Sequence, residues 1–464
     1  MNAAKPHQLS PRTRVAFLFT LCLILRLLTG ISIDAVTPII KHADVYSGIA
    51  INLTQGHGFV AEPDGEPITW RAPLYPAFLA GVYMIFGVHH GPAVFVIQAM
   101  LDSITALLVW WMGSRLFGQS VGLLAAVAFA LHPLSAYYSL RFMSEPLFTL
   151  AFTATAATWV RAISDRSPVS FMIVGALIAI VALVKPVALG LWPFLAACAL
   201  YRLRSQPVKA LASVAALTIA CALVLAPWTL RNYWVTGELI VVATGGGYAF
   251  WLGNQMVSEG REDWEVDEKM RAHLFHLRNA VFASVDELDY HRLSATSPKY
   301  RSATQPVNIT LREDRAFGRA AWQEIASHPF DSGLLIIRKF FRFWFRIFLP
   351  ENRWAQSYIV VMQTLFLSFA VLGILEARRR GGILFPLLLP VVFLTAAHAV
   401  TFATLRYSIP TLPIMTIFML AGVRETVRAI NTKFGWSLGV SFVQSVQAAI
   451  SVERFSPMYR RRRI

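Results

Sequence analysis

Runs of roughly 20 apolar residues recur along this chain, separated by short basic segments, and they constrain it more than any other feature. The first covers Val15 to Ile33 and the last Ser408 to Val423. A hydrocarbon layer about 30 Å thick is crossed by about 20 apolar residues in helical conformation. The chain has 464 residues, 56% of them hydrophobic and only 15% charged, whereas a soluble protein carries about 25% charged residues. The reading is an all-α polytopic membrane protein with a bundle of about ten transmembrane helices.

The formal net charge of +16 does not point to nucleic acid. Lys and Arg gather at the ends of apolar runs, where the positive-inside bias places them. Cys22, Cys198 and Cys221 fall inside expected spans and no CxxC pair exists, so neither a disulfide framework nor a thiolate metal site is expected. The segment Arg14 to Ile33 follows Lys5, Arg12 and Arg14 in the manner of a signal peptide. It lacks a small-x-small cleavage site and holds Arg26, so it reads as an uncleaved first span.

Further spans are expected at Pro92 to Met112, Val121 to Tyr138, Pro146 to Trp159, Val169 to Val184, Val187 to Leu200, Ala210 to Ala226, Tyr358 to Leu375 and Ile383 to Phe402. This order puts both termini and the short basic loops in the cytoplasm. It divides the chain into an N-terminal bundle over 1–233, an extracytoplasmic cap over 234–330, an interfacial helix with the last three spans over 331–425, and a basic cytoplasmic tail over 426–464. Phe330 to Phe348 is apolar but carries Arg338, Lys339, Arg342 and Arg346 near helical spacing, which suits a helix lying in the interface. Of deep-lying breaks in the apolar pattern, Arg26 and Pro390 stand out.

The first outer loop, within 34–90, concentrates polar chemistry. It holds Asp34, His42, Asp44, His57, Glu62, Asp64, Glu66 and Arg71. Two interfacial helices are expected there, one over Ala43 to Leu53 with Asp44 at its start and one over Ala77 to Phe86, the latter begun by Pro73 and Pro76 and ended by Gly87. Asp44, Arg71, Glu145, Lys185, Arg231 and Arg406 all fall in outer loops or at outer span ends. Ionisable groups at such depths are functional or paired, and random anchors would fall on both faces. Asp44 is placed to take a proton from an acceptor hydroxyl, although helix capping would also explain it. Arg71, before Ala-Pro-Leu-Tyr-Pro, suits a phosphate leaving group. Glu145 opens a span, where a helix N-terminus favours a carboxylate; simple capping is the alternative. Snorkelling alone would account for Lys185 or Arg406.

Gly245 to Gly247 lacks the strand context of a nucleotide loop. His89, His90, His132 and His398 show no metal-ligand spacing, and Asn52-Leu-Thr54 and Asn308-Ile-Thr310 match glycosylation acceptors by pattern only.

An Asp in the first outer loop, then Gly56-His-Gly58-Phe59, then Arg71 before Pro73-Leu-Tyr-Pro76, resembles the GT-C membrane glycosyltransferases. The nearest branch holds the protein O-mannosyltransferases, the lipid A aminoarabinose transferase and the Rgt-type transferases. Ser144-Glu145-Pro-Leu-Phe148, Lys185-Pro186, Pro227-Trp-Thr-Leu-Arg231-Asn232-Tyr233, Gly253-Asn254 and Arg406-Tyr407-Ser-Ile-Pro410-Thr-Leu-Pro413 extend the match in order over about residues 15 to 425. The resemblance implies a polyprenyl-phosphate-linked sugar donor, a lipid, glycan or protein acceptor, an active site facing the periplasm or outside of a bacterial inner membrane, and inversion at the anomeric carbon. It casts Asp44 as general base, Arg71 and Arg406 as phosphate binders with Lys185 and Arg231 as supporting cations, and Glu145 as orienting donor or acceptor. Tyr46, His57, Tyr75, Asn254 and Tyr407 are the expected pocket residues. Where several relatives carry a second acidic residue after the loop Asp, Val45 and Tyr46 follow here, so no metal or other cofactor is expected. A flippase for lipid-linked sugars would show broken helices and mid-membrane charges, and an envelope-polysaccharide polymerase or ligase would centre on the later loops.

Overall fold

A computed structural model of the chain describes residues 10–36, 45–261, 268–285, 309–346, 353–380 and 384–436. The described residues are overwhelmingly helical, with one isolated antiparallel bridge between Val60 and Pro67. In chain order the bundle contains α1 (Pro11–Val36), α4 (Gly91–Phe117), α5 (Gln119–Ala130), α6 (Pro133–Ser139), α7 (Glu145–Asp165), α8 (Pro168–Val184), α9 (Leu191–Arg202), α10 (Pro207–Thr236), α15 (Arg353–Arg380), α16 (Leu384–Val400) and α17 (Leu412–Phe434). At one end lie α2 (Val45–Thr54), α3 (Leu74–Phe86), α11 (Gly246–Gly253), α12 (Glu268–Ala283), α13 (Leu311–Ser327) and α14 (Pro329–Phe345).

Six of the described helices are long and apolar enough to cross a membrane, or seven if α5 and α6 are one bent span. The count of about ten is therefore not reached by this measure, because Pro168–Val184, Pro186–Arg202 and Leu384–Val400 are shorter apolar helices. The expected single span over Val121 to Tyr138 is instead bent by 52° between α5 and α6. Pro133 explains the break: the residue before a proline is driven out of the α region, and His132 is extended (φ −65, ψ 116). Conversely, α10 runs through Pro227 to Thr236 rather than stopping at Ala226.

Helix packing in the bundle relies on glycines at close approaches. A Cβ at Gly175 of α8 would stand 2.0 Å from the Leu217 carbonyl oxygen of α10. Gly373 of α15 and Gly422 of α17 meet reciprocally, a Cβ on either falling 1.9 Å from a carbonyl oxygen of the other helix. The span opening at Leu405 is the most enclosed of the candidates, at 72% buried, whereas those in α1 and α15 are only 22% and 17% buried and turn Phe17, Leu28, Ile31, Val361 and Leu365 outward to lipid.

Arg26, 1% exposed, does not stand alone in the apolar layer. Its Nε lies 3.4 Å from Asp102 Oδ2, and its guanidinium donates to the Phe129 and His132 carbonyls at 2.7 and 3.3 Å. Ser139 donates its hydroxyl to the same carboxylate. Paired and hydrogen-bonded in this way, a buried charge is tolerable, and α1, α4 and the α5–α6 break are pinned together. One turn earlier on α4, Gln98 accepts from the Tyr75 hydroxyl (2.9 Å) and donates to the Ser139 and Arg141 carbonyls (2.8 and 2.7 Å), tying α3 to the turn before α7.

Above the bundle, two segments far apart in sequence share one satellite core. Ile49, Phe59, Ile68 and Trp70 of the first loop pack with Tyr248, Trp251, Phe282, Ile309, Phe317 and Ala321 of the later one. Helix α13 enters on a capping box: Thr310 accepts from the Glu313 backbone N–H while the Glu313 carboxylate accepts from that of Thr310. Gly245 to Gly247 form the turn into α11. The Asp314 carboxylate sits over the start of α11, accepting from the Tyr248 N–H at 3.0 Å. Burial pushes the Asp314 carboxyl above its ordinary range, opposed by backbone N–H groups from Gly245 to Tyr248. Asn52 is 4% exposed and donates to the Val60 carbonyl, which withdraws it from modification; Asn308 lies outside the described residues.

The Gly373–Gly422 contact leaves no room for a methyl group. Gly422→Ala is expected to cost at least about 1–3 kcal/mol through overpacking, lowering the thermal unfolding midpoint in detergent. Gly81→Ala, at an exposed α3 position with nothing within 4 Å of the new Cβ, is expected to be neutral or to stabilise by about 0.5–1 kcal/mol.

Candidate active site

Three chain breaks meet at the cap end of the bundle. Glu145 is the first residue of α7, followed by Pro146, which suits the first helical turn. Lys185 ends α8, because the following Pro186 forbids it the helical region; its backbone is extended (φ −142, ψ 117). Arg406 lies in the 3-10 turn Leu405–Thr411 that leads into α17. Lys185 Nζ donates to Glu145 Oε1 at 2.7 Å, and Arg406 Nε donates to the same oxygen. The carboxylate is 1% exposed, while the Lys185 and Arg406 side chains keep 14% and 24% of their surface in the open. The anion is thus sealed in and the cations look outward.

Arg71 completes the group. Its guanidinium stacks 4.0 Å over the Trp70 ring and 5.1 Å from the Tyr46 ring, and it is close enough to act electrostatically on Lys185. Trp70 belongs to the satellite core, so cap packing sets where Arg71 stands. Tyr46 meets Tyr75 edge-on at 5.2 Å, and Lys185 Nζ lies 5.3 Å from the Tyr407 ring. Arg406 also lies 5.8 Å from the ring of Tyr138, a residue that sequence reasoning passed over. Lys185 and Arg406 at one buried carboxylate leave one positive charge in excess, and Arg71, near enough to act on Lys185, adds a second, a balance suited to an anion such as a phosphate.

Other expected members stand elsewhere. Arg231 donates to the Ile68 carbonyl (2.8 Å), Asn232 Oδ1 (3.1 Å) and the Phe59 carbonyl (3.4 Å). It braces the hairpin closed by the Val60–Pro67 bridge and does not join the cluster. Asn254 is 1% exposed and is spent on the Phe250 and Val400 carbonyls and on Lys339 Nζ. His57 sits on an exposed turn between Gly56 and Gly58, with Nδ1 3.4 Å from Asn52 Oδ1. Asp44 directly precedes α2 and lies outside the described residues. Among the described residues no group of three or more His, Cys, Asp or Glu is placed to hold a metal.

Sequence reasoning missed Asp102 and the internal role of Lys339. Asp102 had a visible signal, since it is the one charged residue of the run Pro92 to Met112, one turn after Gln98. Lys339 had a misleading one. Its spacing with Arg338, Arg342 and Arg346 suits a helix lying in the interface but does not tell which cations turn inward: Lys339 is 0% exposed and Arg342 is 7% exposed. The outward face of α14 carries Phe330, Ile337, Phe340 and Phe341 together with the exposed Arg338.

Neutralising Glu145 leaves two cations facing each other at a partly desolvated position. Glu145→Gln is expected to cost on the order of 3 kcal/mol, read as a lower unfolding midpoint in detergent. Adding Lys185→Met is expected to recover part of that loss, because one uncompensated charge is removed with it.

Residues 70–230 match the family model described as dolichyl-phosphate-mannose-protein mannosyltransferase. No curated protein matches the chain. Among solved structures, the oligosaccharyltransferase AglB from Archaeoglobus fulgidus, in complex with an inhibitory peptide and a dolichol-phosphate, is 12% identical and superposes with a TM-score of 0.51, over 96% of this chain and 54% of its own. This chain therefore spans about half the length of that enzyme. ArnT from Cupriavidus metallidurans bound to undecaprenyl phosphate is 13% identical over 91% of this chain and 80% of its own, with a TM-score of 0.40. The matched segment contains Arg71, Glu145 and Lys185, three of the four charged residues that meet at the bundle end. The chain is a polytopic membrane protein of GT-C fold in which residues 70–230 are similar to the dolichyl-phosphate-mannose-protein mannosyltransferase family model.

Proposed function

We propose that this protein is a glycosyltransferase that moves one sugar from a polyprenyl-phosphate-linked donor to a lipid, glycan or protein acceptor at the outer face of a bacterial inner membrane. The observation that carries the reading is the pair Lys185 and Arg406 held on Glu145 at the cap end of the bundle, with Arg71 near enough to act on Lys185. Basic residues at the far ends of α7, α9, α15 and α17, such as Arg161, Arg202, Arg379 and Arg428, support a cytoplasmic placement of that opposite end. AglB was solved with a dolichol-phosphate, a lipid phosphate of the class proposed here.

The chemistry follows from charge. A polyprenyl-phosphate sugar is a phosphodiester with one negative charge. As the bond from the anomeric carbon to the phosphate oxygen breaks, its electron pair stays with the phosphate and the leaving group gains a second charge. Two excess positive charges favour that later state over the bound donor, and such differential binding is what lowers a barrier. The acceptor hydroxyl attacks from the face opposite the phosphate, which inverts the anomeric centre. Its proton goes to the Asp44 carboxylate acting as general base. Asp44 is two residues from Tyr46, whose ring lies beside Arg71. Glu145 takes the part of counter-ion: it holds Lys185 and Arg406 at one oxygen in the absence of substrate.

The test is sugar transfer by membranes loaded with polyprenyl-phosphate sugars, with variants at matched expression. Asp44→Asn is expected to lower transfer by at least about 100-fold while binding of the donor persists. Arg406→Ala is expected to weaken donor binding as well as transfer. Unchanged transfer in Asp44→Asn would remove Asp44 as the base, and undiminished donor binding in Arg406→Ala would remove the cluster as the phosphate site.

A further inference from the structure

The linker between α16 and the turn that carries Arg406, residues 401–404, has no regular secondary structure, yet its polar groups are held from outside. Lys339 of α14, 0% exposed, donates Nζ to the Val400 and Thr401 carbonyls at 2.9 and 3.1 Å, and to the Gly253 carbonyl and Asn254 Oδ1 at 3.0 Å each. Asn254 Nδ2 donates to the Val400 carbonyl as well, at 3.1 Å. His398 Nδ1 lies 2.9 Å from the Phe402 carbonyl, which can only accept, so the proton is on that nitrogen. The Leu405 N–H donates to the Arg346 carbonyl at the end of α14 (3.2 Å). Backbone contact is equally tight: a Cβ on Gly253 would stand 1.7 Å from the Thr401 oxygen.

A ring stack runs parallel to these bonds. Phe343, one turn after Lys339 on α14, stacks on His398 (5.8 Å, 26°), and His398 stacks on Tyr407 (4.4 Å, 5°), whose ring neighbours Lys185 Nζ. One helix therefore fixes both the linker backbone and the residue next to Arg406. We infer that Lys339 and His398 are positioning residues, which set Arg406 and Tyr407 at the phosphate-binding cluster by clamping the 400–405 linker to α14 and α11. The inference rests on the transferase reading above. It gives Asn254 a place in the clamp instead of the pocket, and it makes the outer end of α17 answer to α14, whose opposite face is apolar and exposed. Sub-ångström placement matters here, because a charged group held about 1 Å off its productive position loses much of its effect on the reacting atoms.

The experiment is a double-mutant cycle on the full-length protein in detergent, with a polyprenyl monophosphate as the probe and its Kd as the readout. Lys339→Met is expected to raise Kd about tenfold in the otherwise unaltered chain and less than about twofold on an Arg406→Ala background. Equal factors on both backgrounds would overturn the inference, since Lys339 would not act through Arg406. An unchanged Kd in Arg406→Ala alone would overturn the phosphate-site reading and, with it, the inference. Should Lys339→Met fail to fold, the same cycle run with His398→Leu, which breaks the ring stack and leaves the lysine in place, decides between the same outcomes.

Discussion

One carboxylate oxygen, Glu145 Oε1, holds two cations at the meeting point of three chain breaks. Each break is set by local chemistry: a proline in the first turn of α7, a proline after α8, and the Pro410 and Pro413 turn before α17. None of the three segments would bring a charge to this depth without the others. A lone Glu145 would be desolvated with no partner, and Lys185 and Arg406 alone would repel each other. Together they form a neutral pair plus one cation, with Arg71 added from the first loop, and this arrangement fixes the spatial relation of α7, α8 and α17.

The second dependence is on the cap. Trp70 lies in the satellite core with Phe317, Trp251 and Tyr248, while Arg71, its neighbour in sequence, stacks on the Trp70 ring. Arg231, expected beside a phosphate, instead ties the Phe59 and Ile68 carbonyls to the end of α10. Asp314 plays the matching part for α11, filling the glycine turn at its start. These polar groups fix backbone, a task that charge alone does not reveal. A cation beside a backbone carbonyl and a cation beside an anion site look the same in sequence.

What could be read from sequence follows the same division. Glu145, Lys185 and Arg406 were legible because prolines mark helix ends and a charge at a helix end has few places to go. The all-helical membrane fold was legible from apolar runs. Length and composition of the helices pick out six or seven spans, because Pro133 bends one expected span and α8, α9 and α16 are shorter apolar helices. Arg26 stands out in sequence as a deep charge, and its partner Asp102 lies 76 positions later in the chain. Long-range pairing of this kind leaves no local trace. Lys339 is a case of another sort: helical periodicity places Lys339 and Arg342 on one face, but it does not say whether that face meets water or protein.

The sealed position of Glu145 bears on where the base must come from. Its Oε1 is taken by Lys185 and Arg406, and the side chain is 1% exposed, so an acceptor hydroxyl has no approach to it. Three acidic groups of the cap are committed to structural partners as well: Glu313 to the α13 capping box, Asp314 to the α11 N–H groups, and Glu259 to Arg338 and Arg342. On the transferase reading proposed above, the proton leaving the acceptor goes instead to a carboxylate of the first loop. Asp44 stands there in sequence, immediately before the helix whose Tyr46 ring adjoins Arg71.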